Sequence, residues 1–307
     1  MSMPDESSRH ERGARWAPTS LRTTGGAEYR VQPVPSASAR INPAGVRGLS
    51  WDRLRVWRTY GDRYREAMDT MAGRSAQSPA HPGSIRNNRV DTLADLAAVH
   101  LYLTEERRNL DEALAEGVVG GHLSLARCVA AGLRRLPSFR GPATVRTTTV
   151  GPVTDWYREN RFVTEQGFWT ASASAAALRE DRPGFVVWSL TARLTGTVDP
   201  SVPDQLVFLP GTRFKVLRVI DGRRPLVLMR ELFPPEQRTE GQESANATGK
   251  DSTWLDESTL DELELMTAGP RAASPSMMSV RSTVACPWDR PPGLIVMSRT
   301  GTETTAS

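Results

Sequence analysis

The sequence predicts an α+β fold in which helices come first and a mostly β region follows. In residues 51–136 the apolar side chains recur at spacings of three and four, which places them on one face of a helix. After Pro137 the apolar residues form short runs rich in Val, Phe and Thr, separated by Gly, Pro and Asp. Helices followed by a series of strands indicate an α+β domain rather than alternating βαβ units.

Composition narrows the class of protein. The chain has 307 residues, a net charge of +4 and 35 acidic residues, and its only lysines are Lys215 and Lys250. Because the Arg excess comes without an Arg-rich block, it indicates a GC-rich genome rather than a nucleic-acid surface. The two cysteines and four histidines are scattered, so we expect no structural zinc.

Hydropathy predicts neither a membrane span nor a signal peptide. No apolar run approaches the ~20 residues that a membrane helix needs. The first residues are polar and rich in Ser, Pro and Arg, without the apolar stretch of a cleavable signal. We therefore expect a cytoplasmic location and no membrane partner, with export by a signal-less route left open.

The patterns divide the chain into four segments. Residues 1–50 are predicted to be a disordered arm, and residues 235–307 a low-complexity tail, because both are rich in Ser, Pro and Gly and lack periodicity. Within the tail, residues 258–266 favour a short acidic helix. Residues 51–89 are predicted to form an amphipathic helix and a linker. Residues 90–234 are predicted to form the folded domain.

The helical part begins with a stretch of alternating aromatic residues and arginines. The predicted apolar face consists of Trp51, Leu54, Trp57, Tyr60, Tyr64 and Met68. This face could bind a partner or nucleic acid, but we favour a helix that docks on the domain. Residues 90–116, in a possibly broken helix, and residues 123–136 add two more helices. Cys128 lies among small apolar positions, so we expect a buried, inert thiol rather than a nucleophile.

The β region is predicted from seven apolar or β-rich runs. They cover residues 143–150, 162–164, 168–174, 185–193, 205–208, 213–221 and 225–232. The Asp221-Gly222 pair between the last two runs predicts a hairpin.

Three of these runs carry polar residues in a particular order. Arg146 lies in the first run, and Gly-Phe-Trp-Thr-Ala-Ser occupies residues 167–172. Gln205 directly precedes the apolar run that continues as Leu-Pro-Gly-Thr-Arg-Phe-Lys-Val at residues 209–216. This order resembles the arginine-type mono-ADP-ribosyltransferase family, which carries an Arg, a Ser-Thr-Ser strand and a Glu-x-Glu element. The resemblance covers about residues 90–232, and its most distinctive part is the Pro-Gly-Thr-x-Phe-x-Val segment.

The resemblance implies a split antiparallel β core and NAD as a substrate. It assigns Arg146 to the NAD pyrophosphate, because a guanidinium donates two parallel bonds to phosphate. It places Gly167 and Phe168 at the start of the NAD-binding strand. Thr170 and Ser172 would orient the catalytic side chain. In the following loop, Arg179 or Arg182 is expected to add a phosphate contact.

The sequence departs from the family at the catalytic element itself. Gln205 stands where the family has its invariant Glu, and Pro203 replaces the Glu two residues earlier. An amide lacks the charge that stabilises an oxocarbenium-like ribose, and losing such a group typically costs ~10²–10³ in rate. Strand alternation predicts that Asp204 points to the opposite face, so that only a one-residue slip in register would rescue it.

Two functional hypotheses follow, beside a purely structural one. The first is a bacterial ADP-ribosyltransferase-like protein that binds NAD, modifies a protein acceptor and has weak or lost activity. The second is a catalytically dead member that serves as a binding or scaffold module for a protein partner. In the structural alternative, Arg146, Thr170 and Ser172 are ordinary strand residues and Gln205 is a loop residue. The Pro-Gly-Thr segment favours the family, and it supports the fold more than the activity.

Overall fold

The fold was examined in a computed structural model of the chain. It describes residues 20–22, 28–36, 39, 41, 49–77, 86–147, 153–174, 184–222, 225–233, 249–267 and 290–297. Within these ranges, no helix is both long enough and apolar enough to cross a membrane. The α+β class predicted from the sequence is confirmed, since a helical layer precedes a large curled sheet.

The helical layer is built from four helices in the first half of the chain. They are α1 (Leu49–Gln77), α2 (Arg86–Leu101), α3 (Arg107–Ala115) and α4 (Leu123–Arg135). The predicted break falls between α2 and α3, where Tyr102–Glu106 forms a π-helical turn. Helices α1, α2 and α4 pack against one another, and Gly132 lets α4 approach the backbone of α2 at Asp95.

A buried carboxylate fixes the three packed helices. Asp95 on α2 is fully buried and accepts two hydrogen bonds from Arg53 on α1, at 2.8 and 2.9 Å. It also accepts a bond from Arg135 on α4 at 3.0 Å. Two guanidinium groups therefore compensate the cost of burying one carboxylate. Nearby Cys128 is also buried, as predicted, and burial raises the pKa of its thiol to about 12.

The amphipathic helix α1 is confirmed, but part of its predicted apolar face was wrong. Tyr64 is buried, and its hydroxyl donates to the Ala94 carbonyl oxygen at 2.7 Å. Trp51 and Trp57 are instead 71% and 40% exposed. A non-helical residue, Gly61 (φ 49°), interrupts α1, so a single helical stripe cannot run along its whole length. The core side of α1 is formed by Val56, Tyr64, Ala67 and Met71.

Eight strands form the large sheet, in the order β4-β9-β10-β6-β3-β5-β8-β7. Their bounds are β3 Gly141–Arg146, β4 Phe162–Glu165, β5 Trp169–Ser172, β6 Gly184–Ser189, β7 Arg193–Leu194, β8 Gln205–Phe208, β9 Thr212–Ile220 and β10 Leu226–Glu231. The pair β6/β10 is parallel and the other neighbours are antiparallel. The predicted hairpin is confirmed, because Ile220 of β9 pairs with Leu226 of β10. A short helix, α5 (Val153–Trp156), precedes β4.

The sheet curls around one aromatic core. Trp169 on β5 lies 5.3 Å from Phe214 on β9 and 5.5 Å from Phe208 on β8, measured between ring centroids. Strands β8 and β9 stand far apart in the strand order, so these contacts require the two halves of the sheet to face each other. Val207 and Phe168 lie on the other side of β8 and β5 and pack against the helical layer.

A sixth helix, α6 (Gly249–Thr267), covers the outer face of β6 and β10. Leu263 is fully buried against Val186 and Leu228. Asp256 on α6 forms ion pairs with Lys215 and with the buried Arg230. The helix is therefore held by an apolar contact and by a carboxylate shared between two strands.

A separate three-stranded sheet joins the two ends of the chain. Its order is β1 (Ser20–Arg22), β2 (Glu28–Val31) and β11 (Leu294–Met297). Tyr29 and Leu294 are buried in the aromatic core of the large sheet. Residues 1–50 and 235–307, predicted to be a disordered arm and a low-complexity tail, thus contribute β1, β2, α6 and β11, and α6 contains the acidic helix expected at residues 258–266. Strands of three or four residues carry too little periodicity to be detected, and β11 pairs with β2, which lies near the other end of the chain.

The buried carboxylate of Glu165 anchors this small sheet. Gln32 Nε2 donates to both carboxylate oxygens at 3.0 Å, and the Gly293 amide donates to Oε2 at 3.0 Å. Arg290 donates to Oε1 at 2.5 Å, and so does the Gly167 amide at 2.7 Å. One side chain thus links the segment after β2, the turn before β5 and the segment before β11.

A second, largely buried carboxyl, that of Asp111, lies on α3. The Tyr102 hydroxyl donates to Asp111 at 3.0 Å. Burial raises the pKa of the Asp111 carboxyl to about 7, although the positive charges of Arg290 and Arg107 lower it. Arg290 therefore acts on two acidic groups, one in the sheet and one in the helical layer.

We predict that Glu165→Ala lowers the free energy of unfolding by about 3–5 kcal/mol. The variant leaves the Arg290 guanidinium and two backbone amides without their charged partner, which is the costly way to break a buried ion pair. Urea unfolding measures the change. The matched control is Glu262→Ala, which removes an exposed glutamate on α6 and is expected to stay within about 0.5 kcal/mol. Equal effects of the two substitutions would show that Glu165 is not an anchor.

Candidate functional site

The three strands that carry the candidate residues are direct neighbours, in the order β3-β5-β8. In the register of these strands, Thr144 of β3 pairs with Ser172 of β5, and Ser172 pairs with Gln205 of β8. Paired residues on adjacent strands place their side chains on the same face of the sheet. The result is a polar row across three strands, on the face opposite the aromatic core.

Ser172 is the centre of a hydrogen-bond network at the end of β5. Its hydroxyl accepts a bond from the Ser174 amide at 3.0 Å and donates to Asp204 Oδ2 at 2.8 Å. The Thr144 hydroxyl donates to the carbonyl oxygens of Ser172 and Ser174, at 3.3 and 3.1 Å. The Ala173 amide donates to the Asp204 carbonyl oxygen at 2.9 Å. These bonds fix the end of β5 against the start of β8.

The contact between Ser172 and Asp204 corrects the expectation that Asp204 faces away from the site. The register has not slipped, because Gln205 itself pairs with Ser172. Asp204 belongs to the turn before β8 rather than to the strand. Strand alternation governs only residues in extended backbone. The Asp204 carboxylate can therefore reach Ser172 while the next residue lies on the same face.

Gln205 is held away from Ser172 by a different partner. Its side-chain oxygen accepts a hydrogen bond from the Thr195 hydroxyl at 2.9 Å, and its carbonyl oxygen accepts one from the Thr195 amide at 2.9 Å. Both residues are buried, with Thr195 fully so and Gln205 9% exposed. The polar end of Gln205 is therefore directed toward the β7 side of the sheet.

The two candidate arginines differ in what the structure describes. Arg146 ends β3, where its backbone pairs with Gly184 of β6. In the sequence it stands two residues beyond Thr144. Arg179 lies outside the described residues. It lies between Ser174 and Gly184 in the sequence, and Gly184 is the residue that pairs with Arg146.

Gly167 and Phe168 serve packing in this fold. The Gly167 amide donates to Glu165, and a Cβ at residue 167 would overlap the Arg290 guanidinium. Phe168 is 1% exposed, and its ring lies 5.0 Å from that of Tyr102 in the helical layer. Gly167 and Phe168 thus orient the start of β5, and neither presents a polar side chain to the polar row.

Thr170 does not take part in the network around Ser172. It pairs with Val207, and its hydroxyl oxygen is buried without a hydrogen-bond partner in the described part of the chain. Ser172 alone on this strand contacts a carboxylate among the residues described. Of the two predicted hydroxyls, Ser172 rather than Thr170 therefore orients an acidic group.

Sequence reasoning missed Thr144 and Thr195 as members of the site and misplaced Asp204. Thr144 could have been found by alternation, since it stands two residues before Arg146. Thr195 joins the site through pairing between β7 and β8, which the sequence does not indicate. Chemically, the site offers one carboxylate, one amide and several hydroxyls, which suits a ligand rich in hydroxyl groups.

Comparisons with known proteins give structural likenesses at low identity. No protein-family model and no curated protein matches the chain. The type III effector XopAI from Xanthomonas axonopodis pv. citri is similar over 64% of this chain and 92% of its own, at 19% identity and a TM-score of 0.46. The ADP-ribosyltransferase Vis from Vibrio splendidus is similar over 57% and 88%, at 16% identity and a TM-score of 0.41. Exoenzyme S from Pseudomonas aeruginosa, in complex with human 14-3-3 protein beta and bound to Carba-NAD, is similar over 67% and 97%, at 13% identity and a TM-score of 0.46. Likenesses at this level show neither a family nor a function for this chain.

Proposed function

We propose that the chain binds NAD at the polar row and has weak or lost activity as an ADP-ribosyltransferase or NAD glycohydrolase. The observation that carries the proposal is the adjacency of β3, β5 and β8. These strands hold the Arg, the hydroxyl-bearing element and the Gln-Leu-Val-Phe segment, which lie far apart in the sequence. The resemblance of the sequence motifs to the ADP-ribosyltransferase family requires this adjacency, and the strand order supports it.

Each candidate residue has a role in the proposed NAD site. Arg146 binds the pyrophosphate through its guanidinium fork, and Arg179 adds a second phosphate contact. Ser172 and Gln205 lie where the nicotinamide ribose binds. Gly167 and Phe168 hold the start of β5 in place. NAD is a substrate here, since its bond between ribose and nicotinamide is the one that breaks.

The weak activity follows from the chemistry at residue 205. Breaking the nicotinamide–ribose bond builds positive charge on the ribose, which a preorganised carboxylate stabilises. Gln205 supplies an amide, and its oxygen is already bonded to Thr195. The side chain can still pack beside a ribose, but it adds no negative charge.

The second candidate function is a catalytically dead module that binds a protein partner. The Thr195 contact favours this alternative, because it gives Gln205 a structural role that needs no substrate. In the active alternative, the protein partner is instead an acceptor of ADP-ribose. NAD binding separates the two, since a scaffold needs no nucleotide.

Arg146→Ala is expected to abolish the NAD-induced rise in melting temperature without unfolding the domain. A ligand that binds only the folded state raises stability, so loss of the phosphate contact removes the rise. Arg146→Lys should restore only part of it, because an ammonium lacks the bidentate fork. Arg140→Ala, at an exposed position just before β3, is the control and should keep the full NAD effect. An unchanged rise in Arg146→Ala would exclude this residue from the site.

Gln205→Glu is expected to raise NAD cleavage, by up to ~10²–10³-fold, because it adds a carboxylate to a preformed site. Release of nicotinamide from NAD measures the rate. The control is Gln166→Glu, which adds the same charge at a partly buried position between β4 and β5, outside the polar row. If both variants leave NAD cleavage unchanged while NAD still binds, residue 205 does not limit the reaction.

A further inference from the structure

We infer that Asp204 is the catalytic carboxylate for the residual NAD cleavage of this chain. The inference rests on the proposed NAD site and adds a residue to it. Its basis is the 2.8 Å hydrogen bond from the Ser172 hydroxyl to Asp204 Oδ2, which holds a negative charge at the end of the polar row. The site therefore contains an acidic group even though residue 205 is a glutamine.

The hydrogen bonds around Ser172 determine which group donates in the contact between Ser172 and Asp204. The Ser172 oxygen accepts from the Ser174 amide at 3.0 Å, so its own hydrogen is free to point at Asp204. Main-chain bonds hold both partners, because the Ala173 amide donates to the Asp204 carbonyl oxygen at 2.9 Å. The carboxylate is therefore preorganised, which is the condition under which a fixed charge stabilises a transition state.

Burial distinguishes Asp204 from its neighbour. Gln205 is almost fully buried and bonded to Thr195, whereas Asp204 is only partly buried. Within the described part of the chain, Oδ2 of Asp204 accepts the Ser172 hydrogen and Oδ1 accepts no side-chain hydrogen bond. A partly exposed carboxylate can accept from a ribose hydroxyl, whereas the side-chain oxygen of Gln205 already accepts from Thr195.

The proposed reaction is hydrolysis of the N-glycosidic bond of NAD. The bond between ribose C1′ and the nicotinamide nitrogen breaks, and its electron pair leaves with nicotinamide. Water bonds to C1′ and releases one proton to solvent, so the products are ADP-ribose, nicotinamide and a proton. Asp204 stabilises the positive ribose in the transition state.

The test compares Asp204→Asn with Asp199→Asn in the full chain. Asp199 lies in the same loop and also accepts a serine hydroxyl, that of Ser201 at 2.6 Å. Both substitutions remove a charge and keep a side-chain oxygen. The measurements are nicotinamide release from NAD at high protein concentration and the NAD-induced shift in melting temperature.

We expect Asp204→Asn to lower nicotinamide release by ~10²–10³-fold, or below detection, while the NAD-induced shift persists. Asp199→Asn should match the wild type in both measurements, and Ser172→Ala should lower the rate by less than Asp204→Asn. Equal release by the two Asn variants overturns the inference, as does wild-type NAD binding without any release. Absence of an NAD-induced shift in the wild type overturns the proposed function itself, so the two failures are distinguishable.

Discussion

The buried carboxylate of Glu165 is the contact on which the arrangement of the chain depends. It accepts hydrogen bonds from Gln32, Arg290 and Gly293, which lie 133, 125 and 128 residues away in the sequence. Burying a carboxylate is costly, and several charge-assisted bonds are needed to offset it. Because Glu165 also accepts from the Gly167 amide, the same carboxylate fixes the turn that leads into β5.

The position of β5 connects this anchor to the candidate site. Trp169 and Ala171 of β5 point into the aromatic core, so Thr170 and Ser172 lie on the other face. A shift of the turn at Gly167 would move Ser172 relative to Asp204. The geometry of the polar row thus depends on packing and hydrogen bonds that are made on the opposite side of the sheet and at the chain ends.

The sequence predicts most of the fold because periodicity is a local property. The break after α2 and the hairpin at Asp221-Gly222 agree with the sequence analysis. Strands β2 and β11 could not be predicted in the same way, since their apolar residues become buried only by pairing across most of the chain. The exposed Trp51 shows a second limit of periodicity. An apolar stripe predicts a helix, but it does not show which face of that helix another element covers.

The candidate site was predictable in its strands and only partly in its side chains. The resemblance placed Ser172 and Gln205 in one site, and the two residues are paired in the register of β5 and β8. Strand alternation gave the wrong direction for Asp204, because it does not apply to turn residues. The Thr195 contact depends on the pairing of β7 with β8, which a two-residue strand does not reveal in the sequence.

The central claim is that the polar row across β3, β5 and β8 is an NAD site. Amide hydrogen exchange measured with and without NAD tests this claim most directly. Bound ligand slows exchange of the amides that it covers or orders. We predict added protection in residues 143–147, 169–174 and 202–207, with little change in α6. Protection confined to other segments, or no NAD-dependent change at all, would contradict the account.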